Sequence, residues 1–414
     1  MAVMDLILVG AFRIRQWDVP GPPRSRTAAS SAAFTNPSDG PNPKLPAGRR
    51  TSARATGVRV HSGASVRGAG GTFGDPYSYV SPYMKAAVYS RGVVQIKEVE
   101  KPAPKDNEVL VRIHATTICA ADYKLKNMPY VVGWIIGLRK GKILGMELAG
   151  TVESVGKAVT RFRAGDQVFG GTGFKFGAHA EYACVLESRL EMKPVNMTFE
   201  EAAAVLFGGL TALCFLRQAN IQSGQNVLVY GASGSVGVFA VQLAKHFGAR
   251  ITGVCSTANL DLVKSLAADN VVDYTREDFS SAGRLYDLVV DTVGKAGFSR
   301  TLKSLKRGGP WVRIAPSGGI RWSTLLLSML GDTLLERWVS MTGAAKVIGG
   351  LPPIAPGDLS VLRGLIEAGE LRTVIDRCYS LDQVAGAFRY AEAGHKKGHV
   401  VLILNQPDPV PGSL

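Results

Sequence analysis

NVLVYGASGSVGVFAVQLAK, residues 226–245, decides how the rest of the chain is read. Val227 to Tyr230 form an apolar run of strand length. Gly231, Gly234 and Gly237 follow at three-residue spacing, and Val238, Val241 and Leu243 then open a helical pattern free of Pro. The stretch is a strand, a tight turn and a helix N-terminus. Such a turn aims unpaired backbone N–H groups and the positive end of the helix dipole at one point, where a phosphate binds. A Cβ at Gly231 or Gly234 would hold that phosphate away from the backbone. Downstream, ARITGVC, DNVVDY, YDLVVDTVG and GPWVRIAP give four further short apolar strands separated by helix-like segments, the rhythm of an α/β doubly wound parallel sheet.

GASGSVGVFAVQLAK resembles the nucleotide-binding signature of quinone oxidoreductases in the medium-chain dehydrogenase/reductase superfamily, with Ser235 where those enzymes usually carry a third adjacent Gly. GMELAGTVESVGKAVTRFRAGDQVFG, residues 145–170, resembles that superfamily's catalytic-domain signature, and the likeness runs from about Met84 to Leu404. The resemblance implies a mostly β, GroES-like catalytic domain over residues 81–205, completed by 372–406, and a Rossmann dinucleotide-binding domain over 206–371. It implies that the cofactor is held by the turn from Gly231 through Ala232, Ser233, Gly234, Ser235 and Val236 to Gly237, by Thr292 in DTVG, and by His395 and Lys397 in AGHKKGHVV.

Residues 1–80 have a different composition. They hold ten Lys/Arg against Asp5, Asp18, Asp39 and Asp75, and Ser, Ala, Gly and Pro crowd Pro20–Gly74. A segment so poor in apolar residues cannot offset its ordering entropy, and its Arg-rich, acid-poor character reads as an organelle transit peptide. Its Ser, Pro and Gly content points to a chloroplast, with a mitochondrion as the alternative. Residues 407–414 form a short tail. Six of the fifteen net positive charges fall on the extension, which leaves nine on the body. That surplus suits an anionic membrane surface, to which the chain would attach peripherally. No nucleic-acid module is recognisable, and no apolar run reaches the length of a membrane span. The oligomeric state stays open between monomer and homodimer. Cys119, Cys184, Cys214, Cys255 and Cys378 are scattered without a CxxC pair, which fits a reducing compartment and excludes a Cys-rich zinc lobe.

In zinc-dependent members of the superfamily a Cys ligand stands where Cys119 lies in CAADYKLK. The second ligand would fall at Met146 and the third near Phe207 or Gly208, none of which can bind zinc. A catalytic zinc needs three protein ligands and an open position, so no metal is expected. Without one, the easier chemistry is hydride delivery to an acceptor that is already electrophilic: a quinone or an α,β-unsaturated carbonyl. Negative charge then develops on oxygen and needs a cation or donor beside it. The resemblance places Lys124 and Tyr123 there. Lys124 also reads as a solvated helix charge, and Cys119 as a small buried thiol. Glu147 and Asp166 read as acceptors for buried backbone groups.

MTFEEAAAVLFGGLTALCFLRQA reads as Thr198 capping a helix with Glu201 three residues on, with Gly208 and Gly209 breaking it into a second. The resemblance carries this crossover past the nicotinamide, which makes Phe207 and Thr211 cleft candidates beside Cys119. An NAD-binding chain usually ends its second strand with Asp or Glu for the ribose 2′-OH, but here stand Cys255, Ser256 and Thr257. Hydroxyls there, with Lys264 and Tyr274 at positions the resemblance assigns to a 2′-phosphate, favour NADPH. Between Ala315 and Gly350, an apolar segment from Trp322 to Trp338 reads as a packing helix, a lid or an interfacial element. The expected activity is zinc-independent, NADPH-dependent reduction of quinones or enones, against the alternative of a non-enzymatic dinucleotide-binding scaffold at a membrane.

Overall fold

The computed structural model describes residues 81–90, 92–127, 142–281, 283–315, 334, 337–350, 352 and 354–404. The transit-peptide reading of 1–80, the tail 407–414 and the apolar segment through Leu325–Leu330 lie outside the described residues.

The first part is a β assembly. β1 (Tyr83–Ser90) and β2 (Val93–Glu100) pair antiparallel along their length. β3 (Glu108–Thr117) is buried at every position but Arg112 and runs into the short helix α1 (Ala120–Lys126). β4 (Lys142–Ile143) extends the β1 sheet. β5 (Glu147–Val155), β6 (Gln167–Gly171), β7 (Tyr182–Leu186) and β8 (Leu190–Met192) build a second sheet around β3. Strand direction brings the ends of β3 and the start of β5 together, Thr116 opposite Leu148, so Thr117, Cys119 and Glu147 share one end of the sheet.

α2 (Phe199–Ala203) opens on the expected capping box: Thr198 Oγ1 accepts from Glu201 N at 3.3 Å and the Glu201 carboxylate accepts from Thr198 N at 2.9 Å. The break that follows is not at the glycines. α3 (Leu206–Gln218) begins after Ala204 and Val205 and carries Gly208 and Gly209 inside its first turns. Their smallness serves packing: a Cβ on Gly208 would lie 2.4 Å from the Ser235 carbonyl oxygen of the next helix.

The second part runs β9 (Asn226–Tyr230), α4 (Ser235–His246), β10 (Arg250–Cys255), α5 (Leu260–Ser265), β11 (Asn270–Asp273), β12 (Leu288–Asp291), α6 (Phe298–Ser304), β13 (Pro310–Arg313) and β14 (Lys346–Gly349). The sheet is parallel throughout, in the order β11-β10-β9-β12-β13-β14. The order reverses between β9 and β12, which opens a crevice at the carboxyl end of β9. Helices cover such a sheet, so its strands read as unbroken apolar runs. α4 is buried at nine of its twelve residues because it lies between sheet and α3. α7 (Asp358–Glu367) ends at Gly369, whose φ of 75° stops the helix.

The chain then returns. β15 (Ile375–Ser380), α8 (Val384–Glu392) and β16 (His399–Ile403) complete the first part, with β16 parallel to β15 and antiparallel to β3, Val401 opposite Thr117. One apolar core extends from Ala115 and Ala149 through Phe215 and Phe239 to Val229 and Val401, joining both parts.

Candidate active site

The glycine-rich turn has the shape that its sequence predicts, with the glycines dividing the work. Gly231 has φ +81°, and a Cβ there would meet Thr292 Oγ1 at 2.5 Å. Gly237 lies against the turn itself: its Cβ would be 2.1 Å from the Gly231 carbonyl oxygen. Gly234 alone faces open space, its Cβ meeting nothing nearer than 3.4 Å. It caps α4, so the first-turn N–H groups of Ser235, Val236 and Gly237 have no helical partners. Thr292 Oγ1 donates to the Tyr230 carbonyl at 2.9 Å and buttresses the turn, while Ala232 is buried beneath it. This is a cradle that a dinucleotide pyrophosphate fits. Lys264 on α5 and Tyr274 just past β11 are exposed nearby in sequence to Ser256 at the end of β10.

The return segment closes over this turn. Gly398 N donates to the Ser233 carbonyl at 2.8 Å, and Ser235 Oγ donates to the Gly398 carbonyl at 3.0 Å. Lys396, which sequence reasoning passed over in favour of its neighbours, donates to Ser235 Oγ and, at 2.6 Å, to the Gly398 carbonyl. Burial holds its pKa below the ordinary lysine value, against the pull of Cys119 and Glu147. His395 is exposed, and the Lys397 backbone N–H goes to Asp376 at 2.9 Å. The only signal for Lys396 was the doubled lysine, and the turn decides which one points inward.

Cys119 caps α1, and its thiol is pushed well above its usual pKa by burial. Tyr123, Lys124 and Lys396 all lie within its electrostatic reach. Lys124 is partly buried, its pKa lowered by desolvation, and it has no hydrogen-bonding partner among the described residues. Tyr123 is half-buried against the cluster of Ile118 and Phe388, and burial raises its pKa. Asp122 is fully buried and holds the backbone N–H groups of Cys119 at 2.9 Å and Gly145 at 3.0 Å. Glu147 is held as the sequence suggested: it accepts from the Phe207 backbone N–H and from Thr117 Oγ1. Burial nevertheless raises its pKa to about 7. Asp166 accepts from Arg163 N at 2.9 Å. Thr211 is buried on α3 beyond Phe207.

Zinc does not fit this donor set. Met146 follows Gly145 where a second ligand would stand, and Phe207 and Gly208 lie within α3. Among the described residues no three His, Cys, Asp or Glu side chains group as metal ligands.

Known proteins resemble this chain in sequence and fold. The family described as alcohol dehydrogenase GroES-like domain matches residues 105–195, and that described as zinc-binding dehydrogenase matches 266–402. A 2-methylene-furan-3-one reductase of Solanum lycopersicum is 32% identical over 341 residues, covering 77% of this chain and 79% of that one. The chain belongs to the quinone oxidoreductase-like branch of the medium-chain dehydrogenase/reductase superfamily. Another member, the chloroplastic NADPH-dependent alkenal/one oxidoreductase of Arabidopsis thaliana, is 31% identical over 337 residues, 77% of this chain and 79% of that one. The quinone oxidoreductase of Coxiella burnetii superposes with a TM-score of 0.68 at 27% identity, over 78% of this chain and all of that one. The members of this superfamily are oxidoreductases that bind a nicotinamide dinucleotide.

Proposed function

We propose that this protein is a zinc-independent oxidoreductase that uses NADPH to reduce quinones or α,β-unsaturated carbonyls. The observation that carries the reading is Lys396, whose ammonium reaches Ser235 Oγ and the Gly398 carbonyl at the glycine-rich turn, with Lys124 partly buried on the helix that Cys119 caps. Bound NADPH supplies a hydride. The chain's residues then manage charge. An acceptor that takes hydride at carbon gathers negative charge on its oxygen, and Lys124 offers an N–H donor and a positive charge there. Tyr123, its phenol kept protonated by burial, is a second donor. Lys396 holds Ser235 and Gly398 together, which fixes the first turn of α4 against the catalytic part. A proton from solvent completes the reaction, so enone, NADPH and one proton give saturated carbonyl and NADP⁺.

The side chains at the zinc-ligand positions support metal independence, because a lone buried thiol is not a catalytic zinc site. The Arg-rich residues 1–80 and the relative named chloroplastic support a plastid, with a mitochondrion second and a peripheral membrane position left to the basic body. The test is NADPH oxidation against quinones and short and long enones. Lys124→Ala should lower turnover by on the order of 100-fold with NADPH affinity nearly kept. Unchanged turnover would remove Lys124 from the chemistry. NADPH binding without oxidation by any acceptor would turn the reading to a dinucleotide-binding scaffold.

A further inference from the structure

Asn259 stands where the end of β10 meets the glycine-rich turn, and it is 8% exposed. Its side-chain amide donates to Ser233 Oγ at 3.0 Å and to Ser256 Oγ at 3.3 Å. An amide NH₂ has two hydrogens, so both are spent on these two hydroxyls. Each serine oxygen therefore accepts from Asn259, and its own hydrogen has to point elsewhere. Among the described residues neither hydroxyl has an acceptor for that hydrogen. The Asn259 Oδ1 atom is buried without a partner, so the amide's hydrogen-bonding capacity is committed on its nitrogen side alone.

Acceptors at this strand end are committed too. Asp273 pairs with Cys255 across β10 and β11, but its carboxylate takes Thr257 Oγ1 at 2.5 Å and Thr275 N and Oγ1 at 2.9 and 2.7 Å, with Arg276 Nε at 3.7 Å. A ribose 2′-OH seeks an acceptor. A 2′-phosphate dianion carries only acceptors and needs donors. Two directed hydroxyl hydrogens, with the one nearby carboxylate already occupied, match the phosphate.

We infer that Asn259 is the positioning residue that sets cofactor choice, holding Ser233 and Ser256 as donors toward a 2′-phosphate. The inference rests on the proposed use of NADPH.

Direct binding of NADPH and of NADH to the full chain, without acceptor, tests it. Asn259→Ala should weaken NADPH about tenfold and leave NADH unchanged, since each hydrogen bond to a charged phosphate is worth roughly a factor of ten. Asn259→Asp keeps the shape but accepts where Asn donates; it should turn both hydroxyls inward and cost NADPH about 100-fold. That variant also serves if the alanine protein is unstable. Combining Asn259→Ala with Ser256→Ala should cost little more than the worse single change, because one acts through the other. An NADPH preference that survives both Asn259 substitutions overturns the inference, as does equal loss for both cofactors. A wild-type protein that binds the two equally would overturn the cofactor assignment itself.

Discussion

The glycine-rich turn and the buried ionisable side chains around Cys119 are joined by the return segment at Lys396 and Gly398, yet they handle charge by different means. The turn works with backbone: N–H groups at the start of α4, a left-handed Gly231, and a Gly237 pressed against Gly231. The buried group works with side chains from α1, β5 and the return segment, and its acids and lysines are buried enough for their pKa values to move. A backbone site depends on residues contiguous in the chain and fails sterically. A side-chain site depends on residues brought from its two ends, and it fails through charge.

The contrast is sharpest within the turn. Gly237→Ala puts a methyl group into the Gly231 carbonyl and should cost about 4 kcal/mol of stability, read from chemical denaturation. Gly234→Ala meets nothing nearer than 3.4 Å and should keep the stability while weakening the dinucleotide. If the two variants unfold alike, the division between packing glycine and binding glycine is wrong.

Glu147 probes the buried group. Its carboxyl titrates near 7 in the folded chain because burial disfavours the charge, against an ordinary value of 4.5. The folded state therefore holds the proton longer, so this group's contribution to stability is fullest below pH 4.5 and declines as pH rises toward 7, by about 3 kcal/mol at most. Glu147→Gln keeps an acceptor for the Phe207 N–H and should flatten that slope between pH 5 and 8 relative to wild type. A slope unchanged by the substitution would show that Glu147 does not titrate there.

The smallest effect joins the two regions. Lys396→Met removes the donations to Ser235 and Gly398 and should raise the Kd for NADPH about tenfold, with little change in melting temperature. A large loss of stability instead would make Lys396 a structural strut.

The same division explains what could be read from the sequence. The parallel sheet, the Gly231–Gly237 turn and the Thr198 capping box are written in local patterns, and each stands where its residues imply. The helix break set at Gly208 was misplaced because the sequence does not show that α4 presses there. Lys396 was indistinguishable from Lys397 until Asp376 fixed the turn between them. Asn259 carries no local signal in the sequence, and its two hydroxyl partners appear only when β10 and the turn are side by side.

The pairing of β16 with β3 also bears on how the protein comes to be folded. β9 through β14 are contiguous and can close their parallel sheet as soon as they emerge during synthesis. Ala115–Thr117 cannot: their antiparallel neighbour, Val401–Ile403, is made only after the whole of β9–β14. Until then the Ala115–Thr117 end of β3, beyond its pairing with β7, presents unpaired backbone groups, which is the kind of edge that misassembles or is held by chaperones. Loss of β16 by truncation would leave the dinucleotide sheet intact and strand the catalytic part in that waiting state.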